Sequence, residues 1–323
     1  MEQFVKRIQK QYGPSAILLL KDFVPEPVKA ISTGSFVLDY DVLGVGGIAR
    51  GRVTEIAGKE GCGKTSVCLH TAANAQQMGL KVAFIDAENK LDLTYAAALG
   101  VDIDELIISQ PANGEVALGV ADALCSLEDL GLLIFDSAAA LGSKKEQSDK
   151  YEDNADVGKP PRMINKFFRR NINVIKENEI AVVFTNQFRS KIGQSWGDNI
   201  TTTGGWGLQY YSSVLLRLTY IQQIKKGDQV IGQRVKAHAK KSNISKPFQS
   251  GVFEIYYGRG IDLGADTLNA ALEHNLLSKR GSYYVLPSGE ILAHGKAKAV
   301  AALNDNRELL DGLVKELRNG KSN

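Results

Sequence analysis

Three scarcities narrow the field before any motif is read. The 323-residue chain holds only three cysteines, Cys62, Cys68 and Cys125. An odd count without metal-ligand spacing argues against a disulfide framework and points to a reducing, cytoplasmic setting. No run approaches the roughly 18 apolar residues that span a bilayer, and the N-terminus carries no apolar signal segment. Net charge is only +3, so any affinity for nucleic acid has to come from a local patch. Internal repeats and long low-complexity tracts are missing too. What remains is an ordinary globular composition, 44% hydrophobic and 23% charged, enough for a sizeable core.

Against that plain background one stretch stands out, Gly58-Lys59-Glu60-Gly61-Cys62-Gly63-Lys64-Thr65. It fills every fixed position of a phosphate-binding loop. Glycines let the backbone turn its N–H groups inward as an anion nest, Lys64 places a charge on the β/γ-phosphates, and the Thr65 hydroxyl can ligate Mg²⁺. Such a loop has to link a strand to a helix. Arg52–Ala57 alternates with β-branched residues, and Ser66–Met78 is apolar at helical spacing and stopped by Gly79. The helix N-terminus would then face the phosphates of a nucleoside triphosphate. Cys62 sits inside this loop, as a filler or as a modifiable thiol.

The chain around it reads as α/β. Residues 1–12 pattern as an amphipathic helix, with Phe4, Val5 and Ile8 opposite Lys6, Arg7 and Lys10, and Gly13-Pro14 breaks it. Ser15–Leu20 reads as a strand. This helix and strand either dock on a neighbouring subunit or fold back on the chain's own core. From Ile31, strand candidates recur at Val53–Ala57, Val82–Ile85, Leu106–Ser109, Leu132–Asp136, Ala181–Asn186 and Ser213–Leu218. Helices between the earlier ones give the signature of a mostly parallel sheet. Beyond about 262 the texture changes to short helices, a hairpin over Tyr283–Leu292 and a terminal helix to Arg318. The expected division is 1–30, 31–262 and 263–323.

Two apolar strands end in carboxylates. Leu132–Asp136 brings Asp136 to the Mg²⁺ shell. Val82–Asp86 is followed by Ala87-Glu88, where Glu88 can polarise a water opposite the γ-phosphate. Asp86 reads equally as a structural cap. Two further segments suit polyanions. Lys159–Arg170 sets Arg162, Lys166, Arg169 and Arg170 along a helix behind a polar loop at about 144–161. Thr185–Gly205 leaves a strand and runs on through glycines, threonines, Arg189, Lys191, Ile192 and Trp196. Basic groups and backbone donors suit phosphates, and Trp196 or Ile192 can stack on bases or wedge between them.

Together these residues resemble the bacterial RecA recombinase family. The likeness rests on Ile31-Ser-Thr-Gly-Ser35, the phosphate loop, Phe84-Ile-Asp-Ala-Glu88, Ser109-Gln-Pro111, Phe135-Asp-Ser137, Asn186-Gln187-x-Arg189-x-Lys191-Ile-Gly193 and Thr201-Thr-Thr-Gly-Gly205. It implies an ATPase core with a mostly parallel sheet, an N-terminal helix–strand element for subunit docking and a small α/β C-terminal domain. The implied activity is a DNA-dependent ATPase that forms a helical filament on single-stranded DNA, pairs it with homologous duplex and exchanges strands in repair. The implied cofactors are ATP and Mg²⁺. By resemblance Gly58–Thr65 and Ser66 hold the phosphates, Asp136 supports Mg²⁺ with Thr65, and Asp92 and Tyr95 flank the adenine. Glu88, Lys64, Gln187 and Lys241 take the catalytic positions, with Gln187 sensing the γ-phosphate. The DNA-binding loops fall at about 144–161 and 188–205, with Arg162, Asn165, Arg169, Arg189, Lys191, Ile192, Gly204 and Gly205 at contact positions. Tyr210, Lys241 and Asn243 fall at the subunit interface. A co-protease role toward a repressor, and loading mediators as partners, belong to the same implication.

Some residues depart from the family pattern. A lysine pair that reaches the neighbour's ATP is represented by Lys241-Ser242-Asn243, which keeps the first lysine and puts an amide in place of the second. A neutral amide supplies no charge to the transition state, so hydrolysis is expected to be slower or differently controlled. Trp206 and Gln209 also differ, and Pro160-Pro161 stiffens the end of the first loop. The chain ends at Asn323 without an acidic tail, giving the expectation of less restrained loading on DNA. These features fit a divergent or phage-borne member. Two other readings stay open on the same core: an ATP-switched regulatory filament and a ring-type helicase motor.

Overall fold

Runs of apolar, β-branched residues bury both of their faces only when helices cover both sides of a sheet, and that is how this chain folds. The computed structural model describes residues 1–14, 16–22, 26–142, 159–190, 200–202 and 205–321. It opens with α1 (Glu2–Tyr12), closed by Gly13 at φ 102°. A short pair follows, β1 (Ala30–Ile31) and β2 (Ile48–Ala49), with a π-helical turn at Val37–Val42 between them. Next come β3 (Val53–Gly58), α2 (Lys64–Gln77), β4 (Lys81–Asp86), α3 (Leu93–Ala98), β5 (Ile107–Ser109), α4 (Gly114–Leu124) and β6 (Leu130–Asp136). Then α5 (Lys159–Glu177), β7 (Ala181–Ser190), β8 (Ile200–Thr202) and α6 (Gly205–Tyr211) lead to β9 (Val214–Lys226), β10 (Gln229–Ser242), β11 (Ser250–Tyr256) and β12 (Gly260–Ile261). The small C-terminal part is α7 (Leu263–Glu273), β13 (Ser278–Arg280), β14 (Tyr283–Val285), β15 (Ile291–His294), α8 (Lys296–Asp305) and α9 (Arg307–Lys321).

One ten-stranded sheet runs β12-β11-β10-β9-β3-β7-β6-β4-β5, with β8 paired off β7. From β9 to β5 every neighbour is parallel, while β10, β11 and β12 continue antiparallel as a wing beyond β9. Alternate residues of the parallel strands face opposite layers. Phe84, Leu132 and Ile134 pack with Val67 and Leu69 of α2, whereas Ile85, Leu133 and Phe135 pack with α4 and α5. On that second face Phe135 stacks on Phe184 at 4.1 Å between ring centroids. Pro160 and Pro161 fall in the first turn of α5, where a missing N–H has no partner to lose.

Every stretch expected as a core strand lies in one to within a residue, and the Tyr283–Leu292 hairpin forms as β14 and β15. Ser15–Leu20 does not form the expected strand. Its described part is irregular through Leu19, and Leu20–Asp22 is a 3₁₀ turn. A strand needs a neighbour to take its backbone hydrogen bonds, and none lies beside this stretch among the described residues. Leu20 is accordingly 85% exposed. Among the described residues no helix is long and apolar enough to cross a membrane.

The C-terminal part is joined to the core through buried polar groups. Asp39, on the π-helical turn, accepts from the Ser32 hydroxyl at 2.6 Å and from Thr33 N at 2.9 Å. Asp266 on α7 accepts from the Ser35 hydroxyl at 2.8 Å and Val37 N at 3.2 Å. Burial pushes both carboxyls up from 3.8 to about 7 against those hydrogen bonds. A carboxyl raised on folding binds more protons folded than unfolded between the two values. Its contribution to stability is therefore present at low pH and declines as pH rises from about 4 to about 7. Asp266→Asn removes one titrating group, so its calorimetric midpoint falls less steeply than the native midpoint over that pH range. Parallel curves for the two proteins would overturn the assignment.

Candidate functional site

The C-terminal ends of parallel strands, where the chain leaves each strand for a loop, are where an α/β sheet offers loops to a ligand. Here β3, β4, β6 and β7 open onto a cleft of about 280 Å³ lined by the phosphate loop, Glu88, Tyr95, Asp136 and Gln187. The loop turns tightly through Gly61 at φ 73° and Gly63 at φ 92°, left-handed angles that favour glycine. Gly63 has a second reason to lack a side chain, because a Cβ there would stand 2.1 Å from Ile255 Cδ1. At Gly58 a Cβ would stand 2.3 Å from Cys62 Sγ. The Cys62 thiol is thus packed inside the loop, and burial raises its pKa, which makes it a filler and not a reactive thiol.

Lys64 opens α2, and its ammonium donates to the carbonyls of Gly58 at 3.1 Å and Lys59 at 2.9 Å. The adjacent Thr65 hydroxyl donates to Asp136 Oδ2 at 2.6 Å, and the other Asp136 oxygen accepts from Thr185. A hydroxyl and a carboxylate in contact at the mouth of an anion nest are hard oxygen donors of the kind that fits Mg²⁺. Glu88 accepts from the Ser137 hydroxyl and pairs with Lys90 at 3.1 Å. Burial works against its ionisation, yet the Ser137 and Lys90 contacts outweigh it and hold the carboxyl below its usual range. Asp86 is the structural cap: it accepts from Lys90 N and Leu91 N, each at 3.1 Å, and from Gln110 Nε2 at 3.0 Å. Those bonds set the bend that carries Glu88 into the cleft.

Asp92 caps α3 through Tyr95 N at 3.0 Å, and the Tyr95 hydroxyl meets Ser66 Oγ at 2.8 Å. Tyr95 and Ser66 line the cleft with Glu60; Asp92 supports that wall from behind. Gln187 lies at the end of the parallel pairing of β7. Its N–H donates to Asn186 Oδ1 at 2.9 Å, while Asn186 Nδ2 donates to the buried Glu55 at 2.9 Å. Sequence reasoning missed the opposite wall, made by Gln233, Ile255 and Tyr257 of the antiparallel wing. The only local hint was the Tyr256-Tyr257-Gly258 turn, which carries no phosphate chemistry of its own.

On α5, Arg162, Lys166 and Arg169 are exposed one turn apart, and Arg170 is tied to Asp122 at 2.9 Å. The Asn165 amide packs on α6, where a Cβ on Gly207 would stand 2.5 Å from Asn165 Oδ1. Arg189 lies next to the last residue of β7 and Gly205 begins α6, while Lys191, Ile192, Gly204 and the loop at 144–158 lie outside the described residues. Lys241 and Asn243 are not on this cleft. The Lys241 ammonium donates to the carbonyls of Gln209 at 2.9 Å and Ser212 at 2.6 Å, at the C-terminal end of α6, and desolvation lowers its pKa. Asn243 is exposed, and Tyr210 is 78% exposed nearby in sequence to those carbonyls.

Comparison with known proteins bears on the whole chain. The model of the RecA N-terminal domain matches residues 1–262, and that of the RecA C-terminal domain matches residues 265–321. Protein RecA of Streptomyces venezuelae is 39% identical over 98% of this chain and 83% of its own length. Protein RecA of Acholeplasma laidlawii is 39% identical over 98% of this chain and 95% of its own. That of Streptomyces rimosus is 38% identical over 98% and 84%. With both domain models matched in order and relatives aligned almost end to end, the chain belongs to the RecA family of recombination and repair proteins.

Proposed function

We propose that the chain is a DNA-dependent ATPase that polymerises on single-stranded DNA, pairs it with homologous duplex and exchanges strands. The observation that carries this reading is the convergence of Lys64, Thr65, Asp136, Glu88 and Gln187 on one cleft in a RecA-family chain. ATP is the substrate. The loop N–H groups, the start of α2 and Lys64 bind its phosphates. Thr65 and Asp136 would hold Mg²⁺, which would offset the charge of the phosphates. Glu88, kept ionised by Ser137 and Lys90, takes the proton of the attacking water. Gln187 lines the same cleft and β7 runs on from it toward the second polar loop, so it transmits nucleotide state to DNA affinity. Arg162, Lys166 and Arg169 bind DNA phosphates and position the strand without reading its sequence.

Subunits of the filament place the α1 end, Tyr210, Lys241 and Asn243 against a neighbour. The matched length of both RecA domain models favours this over a ring motor. Asn243, an exposed amide where the family carries a charge, favours slow turnover, and with it a filament whose ATP acts chiefly as a switch that recruits other proteins.

ATP turnover measured with and without single-stranded DNA is expected to rise on adding DNA and to disappear in Lys64→Ala. Turnover indifferent to DNA would sink the recombinase reading. Asn243→Lys is expected to raise kcat, and an unchanged kcat removes that position from rate control. Ser137→Ala withdraws a hydrogen bond that lowers the Glu88 pKa, so the acid limb of kcat/KM should move to higher pH. An acid limb that stays put would show that another group titrates in that step.

A further inference from the structure

The wall that sequence reasoning missed touches the phosphate loop at two points. On β10, Gln233 Nε2 donates to Gly61 O at 2.7 Å, and its side chain is almost wholly buried, the residue being 6% exposed. On β11, Ile255 Cδ1 occupies the space a Gly63 side chain would need. The crest of the loop is therefore held by two strands that take no part in the strand–loop–helix unit around it.

We infer that Gln233 is a positioning residue for the phosphate loop, acting through Gly61. A trans peptide is planar, with its carbonyl and N–H on opposite edges. Fixing the Gly61 carbonyl on Gln233 therefore points the Cys62 N–H the opposite way, toward the inside of the loop. There it meets Lys59 O at a long 3.4 Å and its own thiol, weak partners that a phosphate oxygen displaces at little cost. Without the brace, Gly61 is free: it is a glycine at φ 73° with nothing within 4 Å of a Cβ position. Ordering so permissive a residue at the moment of binding costs conformational entropy, which a preformed loop avoids. The Gln233 brace is made before nucleotide arrives and is the same in ground and transition states, so its effect belongs to affinity.

The inference rests on the ATP reading above, and the experiment separates the two. Binding of a fluorescent N-methylanthraniloyl ADP is titrated on the full chain, on Gln233→Met and on Lys64→Ala. Methionine keeps the length and apolar contacts of glutamine but cannot donate. Loss of one such hydrogen bond is expected to weaken binding roughly 3- to 10-fold. In DNA-stimulated turnover the same loss should fall on KM and not on kcat, a split that a merely structural role would not give. If the native chain does not bind the probe, the ATP reading fails. If it binds and Lys64→Ala does not, but Gln233→Met binds as tightly as native, this inference alone fails. A fall in kcat at unchanged KM, or a lower unliganded melting temperature with unchanged affinity, overturns it too.

Discussion

Asp136 holds one carboxylate oxygen on Thr65 and the other on Thr185. Through that one side chain the end of β6, the start of α2 and the middle of β7 are locked together where the sheet opens. Everything chemical in the cleft is referred to this point. The phosphate loop ends beside it, Ser137 directs Glu88 from the next position along the chain, and Gln187 follows Thr185 by two residues. Each bond is short, polar and set in the apolar ends of buried strands, a setting in which a hydrogen bond to a charged group stabilises by about 1.5–3 kcal/mol. The layers of phenylalanine behind it, Phe135 on Phe184 and Phe168 beyond, keep those strand ends from shifting.

How much of this was legible depends on how local each signal was. The parallel half of the sheet announces itself because strands covered on both faces are apolar throughout, and because a strand, a glycine loop and a helix follow one another without interruption. Asp136 and Glu88 could be placed because each follows such a strand directly. Whether Asp86 was ligand or cap could not be read, since that is decided by Gln110 and by backbone donors at residues 90 and 91. The antiparallel wing was hardest to see. Its strands alternate polar and apolar residues, and Gln233 reaches a loop residue 172 positions away. Ser15–Leu20 shows the opposite failure: a local strand pattern with no partner among the described residues to complete it.

Charge is handled in the same economical way. The basic face of α5 is partly neutralised by Asp122 on α4, while Arg162, Lys166 and Arg169 are exposed. His70 is held neutral by burial, its pKa near 4, and accepts from Ile261 N at 2.8 Å, so α2 and the exit toward the C-terminal part stay joined across ordinary pH. The buried carboxyls Asp39 and Asp266 belong to the same junction but titrate within that range.

The contact of Asn165 with Gly207 fixes how closely two helices can approach. One polar loop runs into α5 and the other into α6, and at their crossing there is no space for even a methyl group. Any side chain at 207 would have to displace the Asn165 amide or push α6 away from α5. Glycine at that single position is therefore what lets the helices that receive the two polar loops lie side by side.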